Sequence, residues 1–246
     1  MMTTIEVLRN VFQRNDDAAC ENRALLDRHG IVCFNLLGGA GSGKTSILEE
    51  LLRAMKDTLR VAVLEGDLAT TRDSERIARL DVPVIQLLTD GGCHLNATLV
   101  QQALARLSLE SLDLIIIENV GNPICPANFN LGEHDRISVL SVAEGDDKPS
   151  KYPLLFKNAA LILLTKCDLL PHTNFKVASA IQDIRRINSH TPVVLTSART
   201  HSGIDELEQW IVGYVRRKVS GPRTPTVDQR RHHRATSTEP MISTMP

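Results

Sequence analysis

Two groups of side chains in this sequence could do chemistry. The first is Gly38-Gly39-Ala40-Gly41-Ser42-Gly43-Lys44-Thr45, which fits the phosphate-loop pattern G-x-x-x-x-G-K-[ST]. Glycines at these places let successive backbone N–H groups turn toward one anion. The helix that follows, through Ser46, adds its unsatisfied amides and positive dipole end. Lys44 reaches the β- and γ-phosphates in such a loop, and the Thr45 hydroxyl binds Mg²⁺. The second group is Cys93-His94 together with Cys125. Two thiols and an imidazole form a soft set, suited to Zn²⁺ or Ni²⁺ and poorly suited to Mg²⁺. Three ligands leave one position open, for water or for a second copy of the chain. The plain alternative is three unconnected residues: a buried thiol, a capping histidine and a loop thiol.

Two acids sit where they could act with the phosphate loop. Asp67 closes the apolar run 60–64 followed by Glu65-Gly66, at the carboxyl end of an expected strand, placed to act on Mg²⁺ or on an attacking water. Its other reading is the N-cap of a helix over 71–80. Glu118 ends the most hydrophobic run, 112–117, in the position of a Mg²⁺-side acid. Three residues on, the Gly121 N–H could bond a γ-phosphate, and a segment that does so senses whether that phosphate is present. Cys125 lies in the same loop.

A base-recognition element completes the set. Thr165-Lys166-Cys167-Asp168 follows the apolar run 161–164 and resembles the guanine element Asn-Lys-x-Asp, with Thr in the first place. The Asp168 carboxylate can accept from guanine N1–H and the 2-amino group, which adenine cannot donate, while the Lys166 stem lies along the base. Ser197-Ala198 resembles the short element whose backbone amide contacts the guanine O6.

The elements that must hold these residues read as an α/β fold: a mostly parallel sheet with helices on both faces, in the phosphate-loop NTPase class. Buried strands are expected at 31–37, 60–64, 83–88, 112–117, 137–142, 161–164 and 192–196, with amphipathic helices after the phosphate loop and at 175–187 and 204–219. Residues 1–29 have helical periodicity and form a helix, or two, on the outside of the domain. Gly91-Gly92-Cys93-His94 is expected to open a helix, whose dipole would favour thiolate at Cys93. Residues 143–153 read as a polar loop, punctuated by Pro149 and Pro153. The organisation is thus 1–29 as a helical extension, 30–219 as the nucleotide domain with its metal site, and 220–246 as a polar, proline-spaced tail expected to be disordered.

Composition narrows the classes of partner. At 246 residues with a net charge of -1, the chain gives no general reason to expect nucleic acid or a membrane. Five cysteines at irregular spacing argue against a disulfide framework, and no secretory signal or membrane-length apolar run is present. A cytoplasmic location is expected.

Taken together, the phosphate loop, Glu65-Gly66-Asp67, Gly91-Gly92-Cys93-His94, Glu118-Asn119-Val120-Gly121-Asn122 with Cys125-Pro126-Ala127, the 144–153 loop and Thr165-Lys166-Cys167-Asp168 resemble the HypB family of hydrogenase nickel-incorporation proteins. The similarity runs from about residue 31 to 215. It implies a GTPase of the dimer-forming class that includes signal-recognition and MinD-like proteins. Turnover is expected to be slow, since no arginine finger is evident. The resemblance further implies that Cys93, His94 and Cys125 bind Ni²⁺ or Zn²⁺ between subunits. Lys44, Thr45, Asp67 and Glu118 become the phosphate and Mg²⁺ residues. The implied partners are a HypA-type maturation protein and the [NiFe]-hydrogenase large-subunit precursor. Some members carry an N-terminal Cys-x-x-Cys-Gly-Cys site and many a histidine-rich stretch; residues 1–30 here hold only Cys20 and His29. Two alternatives stand beside this reading: a GTPase chaperone for a urease or cobalamin enzyme, and a dimer held by a structural Zn²⁺.

Overall fold

The computed structural model describes residues 4–67, 72–89 and 92–220, with side chains placed from Phe12 onward except those of Asp67, Arg72 and Ser220. A seven-stranded sheet in the order β3-β2-β4-β1-β5-β6-β7 forms its centre. The strands are β1 (Val32–Gly38), β2 (Val61–Asp67), β3 (Val84–Leu88), β4 (Leu114–Glu118), β5 (Asp135–Ser141), β6 (Ala159–Thr165) and β7 (Val193–Leu195). Every pairing is parallel. Such a sheet is covered on both faces, so its central strands are continuous apolar runs rather than alternating ones.

The helices are α1 (Thr4–His29), α2 (Lys44–Met55), α3 (Arg72–Ala78), α4 (Ala97–Leu104), α5 (Lys148–Lys151), α6 (Pro153–Lys157), α7 (Val177–Ile187) and α8 (Ile204–Ser220). On one face, Phe34, Leu36, Val63 and Ile116 pack against Ile47, Leu51, Ile77 and Ile211 of α2, α3 and α8. On the other, Cys33, Leu64, Ile115 and Ile117 meet Leu26 of α1 with Val100 and Leu104 of α4, while Leu140 and Leu164 meet Phe156 and Ile184 of α6 and α7. Helix α1 is one continuous helix. Its buried Asn22 amide donates to the carbonyls of Ala97 and Leu131, at 2.8 and 2.9 Å.

Strand β1 lies between β4 and β5. The chain therefore winds to one side of β1 for β2 to β4 and to the other for β5 to β7, which opens a crevice at the carboxyl ends of the central strands. Gly38, Glu118, Thr165 and the segment after Leu195 all emerge there.

Two local expectations change. Cys93 and His94 do not open α4; its N-cap is Asn96, whose side chain accepts from the Leu99 N–H at 2.9 Å. The Asn96 carboxamide oxygen fixes where the helix begins, so the Cys-His pair sits in a bend ahead of it. Within the expected loop over 143–153, residues 148–151 form a short helix and a second begins at Pro153 after a break at Tyr152: Pro149 and Pro153 each lie in a first turn, where a missing N–H costs nothing. The tail over 221–246 lies outside the described residues.

Candidate functional site

The phosphate loop turns on Gly43, which caps α2 at φ 92° with no side-chain cap. A β-carbon is strained in that conformation, so glycine is required. The first amides of α2 are thereby left to an anion rather than to a side chain. Lys44, buried, curls back to donate to the carbonyls of Gly38 and Gly39, each at 3.2 Å. Burial lowers its pKa, opposed by the carboxylates of Glu118, Glu144, Asp73 and Glu65.

Beside it, the Thr45 hydroxyl donates to Glu118 Oε1 at 2.7 Å. Among the described residues, the other oxygen of Glu118 is buried with no hydrogen-bond partner. Burial pushes the Glu118 carboxyl up to about 7, against the pull of Lys44 and of the Thr45 hydroxyl. Both groups are shifted toward neutrality because the pocket removes water from two charges without fully compensating either. The Asp67 side chain lies outside the described residues; its backbone ends β2.

Gly121 rests directly on the phosphate loop. A β-carbon there would come within 2.9 Å of the Ala40 Cα, so the loop after β4 and the phosphate loop meet backbone to backbone. Lys44, Thr45, Glu118 and Gly121 line a cleft of about 410 Å³. Sequence reasoning overlooked Glu65, Asp73 and Arg76, which line the same cleft. Arg76 grips Glu49 with two bonds, at 3.1 and 2.6 Å, and donates to Asp73 at 3.0 Å and to Ser46 Oγ at 3.3 Å. The Asp73-x-x-Arg76 spacing, one helical turn, was the available signal.

A second cleft, of about 490 Å³, adjoins the first through Gly43, Ser46 and Lys166, and is lined further by Thr165, Asp168 and Ala198. Thr165, buried, donates from Oγ1 to the Ser42 carbonyl at 2.5 Å. Lys166 stands in the left-handed region at φ 58° and donates to the Gly41 carbonyl at 2.6 Å. The Ser197 hydroxyl donates to Asp168 Oδ1 at 2.6 Å, which orients the carboxylate toward this cleft's rim. Thr165 and Lys166 are thus tied to the phosphate loop by side-chain bonds.

The thiol group assembles where the segment ahead of α4 meets the loop after β4. The Cys93 thiol interacts electrostatically with that of neighbouring Cys125, and its sulfur lies 3.5 Å from His94 Nδ1. The His94 ring stacks on Phe129, centroids 3.8 Å apart. The Asn122 amide donates to the Cys93 carbonyl at 3.4 Å, tying the two loops together. The Cys125 contact and burial raise the Cys93 pKa, opposite to the helix-dipole expectation, because the α4 terminus is taken by Asn96. Burial lowers the His94 pKa. The three side chains are neighbours, yet among the described residues no three His, Cys, Asp or Glu side chains form a group able to hold a metal within one chain.

Residues 32–195 match the family model of the CobW/HypB/UreG nucleotide-binding domain. The hydrogenase maturation factor HypB of Escherichia coli K12 is 43% identical over 207 residues, covering 84% of this chain and 71% of the relative. The probable hydrogenase maturation factor HypB of Methanocaldococcus jannaschii is 40% identical over 211 residues, covering 86% of this chain and 96% of the relative. Among solved structures, HypB from Helicobacter pylori in complex with nickel superposes with a TM-score of 0.80 at 33% identity, covering 86% of this chain and 99% of that one. On this evidence of sequence and fold, the chain belongs to the CobW/HypB/UreG family, on its HypB branch.

Proposed function

We propose that the chain is a GTP-hydrolysing nickel carrier for [NiFe]-hydrogenase maturation, whose nucleotide state governs its grip on the metal. The observation that carries this reading is one short segment: Glu118, bonded to Thr45 in the phosphate cleft, is joined through Gly121 to Cys125, which contacts Cys93. The reaction is GTP + H₂O → GDP + phosphate. In it, the free amides of α2 and Lys44 bind the phosphates, and Lys44 must leave the Gly38 and Gly39 carbonyls to do so. Asp168, held by Ser197, selects guanine over adenine.

The Thr45 hydroxyl and the unpartnered Glu118 oxygen are hard oxygen donors and fit Mg²⁺, with Asp67 as the proposed third protein group. Bound there, the ion supplies charge stabilisation on the phosphates. The Gly121 amide lies against the phosphate loop and reports the γ-phosphate to the segment ahead of Cys125.

The cargo is Ni²⁺, with Zn²⁺ as its competitor, taken by Cys93, His94 and Cys125. Since the described residues of one chain do not by themselves arrange three ligands, a shared site in a homodimer is the arrangement that completes the set. A HypA-type protein and the hydrogenase large-subunit precursor are the proposed partners, in the cytoplasm. Turnover is slow in isolation, because Arg76, the arginine that lines the phosphate cleft among the described residues, is held by Glu49 and Asp73.

Anaerobic Ni²⁺ titration of wild type and Cys125→Ala, with GDP and with a nonhydrolysable GTP analogue, tests the reading through stoichiometry and oligomeric mass. One ion per dimer, lost in the variant, is the expected result. Wild-type-like nickel binding by Cys125→Ala would refute it. Zinc retention with dimers unaffected by nucleotide would instead support a structural metal.

A further inference from the structure

A second connection between the phosphate cleft and the Cys93-His94-Cys125 group runs through the core. Asn119 follows Glu118 directly and lines the phosphate cleft. Its Oδ1 accepts from Val120 N–H at 2.9 Å and from Leu95 N–H, next to His94, at 3.5 Å. Its amide donates to Asn35 Oδ1 at 3.2 Å, and the Asn35 amide donates to Glu133 Oε1 at 3.3 Å. Glu133 Oε1 also accepts from Arg136 Nε at 2.7 Å, while its Oε2 accepts from Leu131 N–H. The two remaining guanidinium nitrogens of Arg136 donate to the carbonyls of Ala127 and Phe129, at 2.7 and 2.8 Å. Phe129 is the residue on which His94 stacks, and Ala127 belongs to the single turn of 3₁₀ helix that begins at Cys125.

Asn35, Asn119 and Glu133 are at most 5% exposed. Polar side chains buried in a sheet are tolerated only when paired, and a fully paired network has few arrangements open to it. The chain of bonds therefore does more than fill the core. It holds the Cys93-His94 loop at Leu95 and the Cys125 loop at Ala127 and Phe129, both referred to the residue after Glu118. A change at Glu118 that turns Asn119 must be followed by its partners or leave one unpaired, and a shift of Ala127 against Leu95 alters the relation of Cys125 to Cys93.

We propose that Arg136 is a positioning residue for the metal group, transmitting the state of the phosphate cleft through Asn119, Asn35 and Glu133 to Cys93, His94 and Cys125. This rests on the nucleotide-gated reading above and assigns the route by which the gating travels.

The test is the ratio of Ni²⁺ affinities with GDP and with a nonhydrolysable GTP analogue, measured for wild type, Arg136→Lys and Phe129→Leu. Lysine keeps the charge beside Glu133 but cannot fork to two carbonyls. Phe129→Leu keeps that fork and removes the ring under His94 from a half-buried position, so it serves alone if Arg136→Lys does not fold. The wild-type ratio should differ from one, and each folded variant should bring it within about twofold of one, with kcat and KM for GTP unchanged. A merely structural role for Arg136 would lower thermal stability and leave the ratio where it was. Variants that keep the wild-type ratio overturn this route and leave the parent reading standing. A wild-type ratio of one overturns both.

Discussion

Glu118→Gln should stabilise the protein free of nucleotide and divalent cation while destroying its Mg²⁺-dependent nucleotide binding. Burial raises the Glu118 carboxyl from 4.5 to about 7. Its proton is held more tightly in the folded chain than in the unfolded one, so this group's contribution is fully present below the unfolded value. It is lost as pH rises through the folded value. Each pH unit in that interval removes about 1.4 kcal/mol, for a ceiling of about 3 kcal/mol. Glutamine mimics the protonated acid and still accepts from Thr45. Urea unfolding of both proteins across the interval, with chelator present, reads Glu118 together with its effect on Lys44, because titrating groups remote from Glu118 cancel in the difference. The variant's advantage should be close to zero near the acid end and grow to about 3 kcal/mol by about pH 8. Saturating Mg²⁺ and nucleotide should reverse the order, since in the proposed site it is the charged carboxylate that holds the cation. A difference that is flat with pH, or a variant less stable than wild type at the alkaline end without cation, refutes the claim that the cleft holds an undercompensated charge.

Other substitutions separate the parts of the site. Asp168→Asn should weaken GTP binding about 10- to 100-fold and narrow the preference over ATP, read by competition with a fluorescent guanine nucleotide. Gly121→Ala places a β-carbon 2.9 Å from the Ala40 Cα. It should cost about 1–3 kcal/mol in thermal unfolding and reduce discrimination between GTP and GDP, as the two backbones separate. Asn22→Ala removes two bonds from α1 to buried carbonyls. A loss of about 1–3 kcal/mol with kcat unchanged would show that α1 anchors the domain without serving the reaction.

The nucleotide cleft was legible in the sequence because its chemistry depends on residue types at fixed spacing. The apolar runs ending at Gly38, Glu118 and Thr165 announced buried strands, and parallel topology sends their ends to one edge. What stayed hidden was chemistry made by side chains from separate strands. Asn35 reads as an interruption of an apolar run, and nothing in the run shows that it faces Asn119 and Glu133. Thr165 read only as the first residue of the base-recognition element, and the sequence did not show that its hydroxyl clamps Ser42. The prolines at 149 and 153 were read as breakers, although in a first turn proline favours a helix. The start of α4 was misplaced because Gly-Gly drew attention from Asn96, whose cap decides it. Cys93, His94 and Cys125 were named from residue type, position and family resemblance, and the fold makes them neighbours without showing, among the described residues of one chain, how a metal would be held.

The proposed coupling between hydrolysis and metal grip is tested most directly in one vessel. Nickel-loaded protein is mixed with GTP and a chromogenic chelator under anaerobic single-turnover conditions, and phosphate release and Ni²⁺ transfer are followed together. Transfer should accelerate in step with phosphate release and remain at its basal rate with a nonhydrolysable analogue. Transfer at one rate with GTP, GDP, the analogue and no nucleotide would contradict the account.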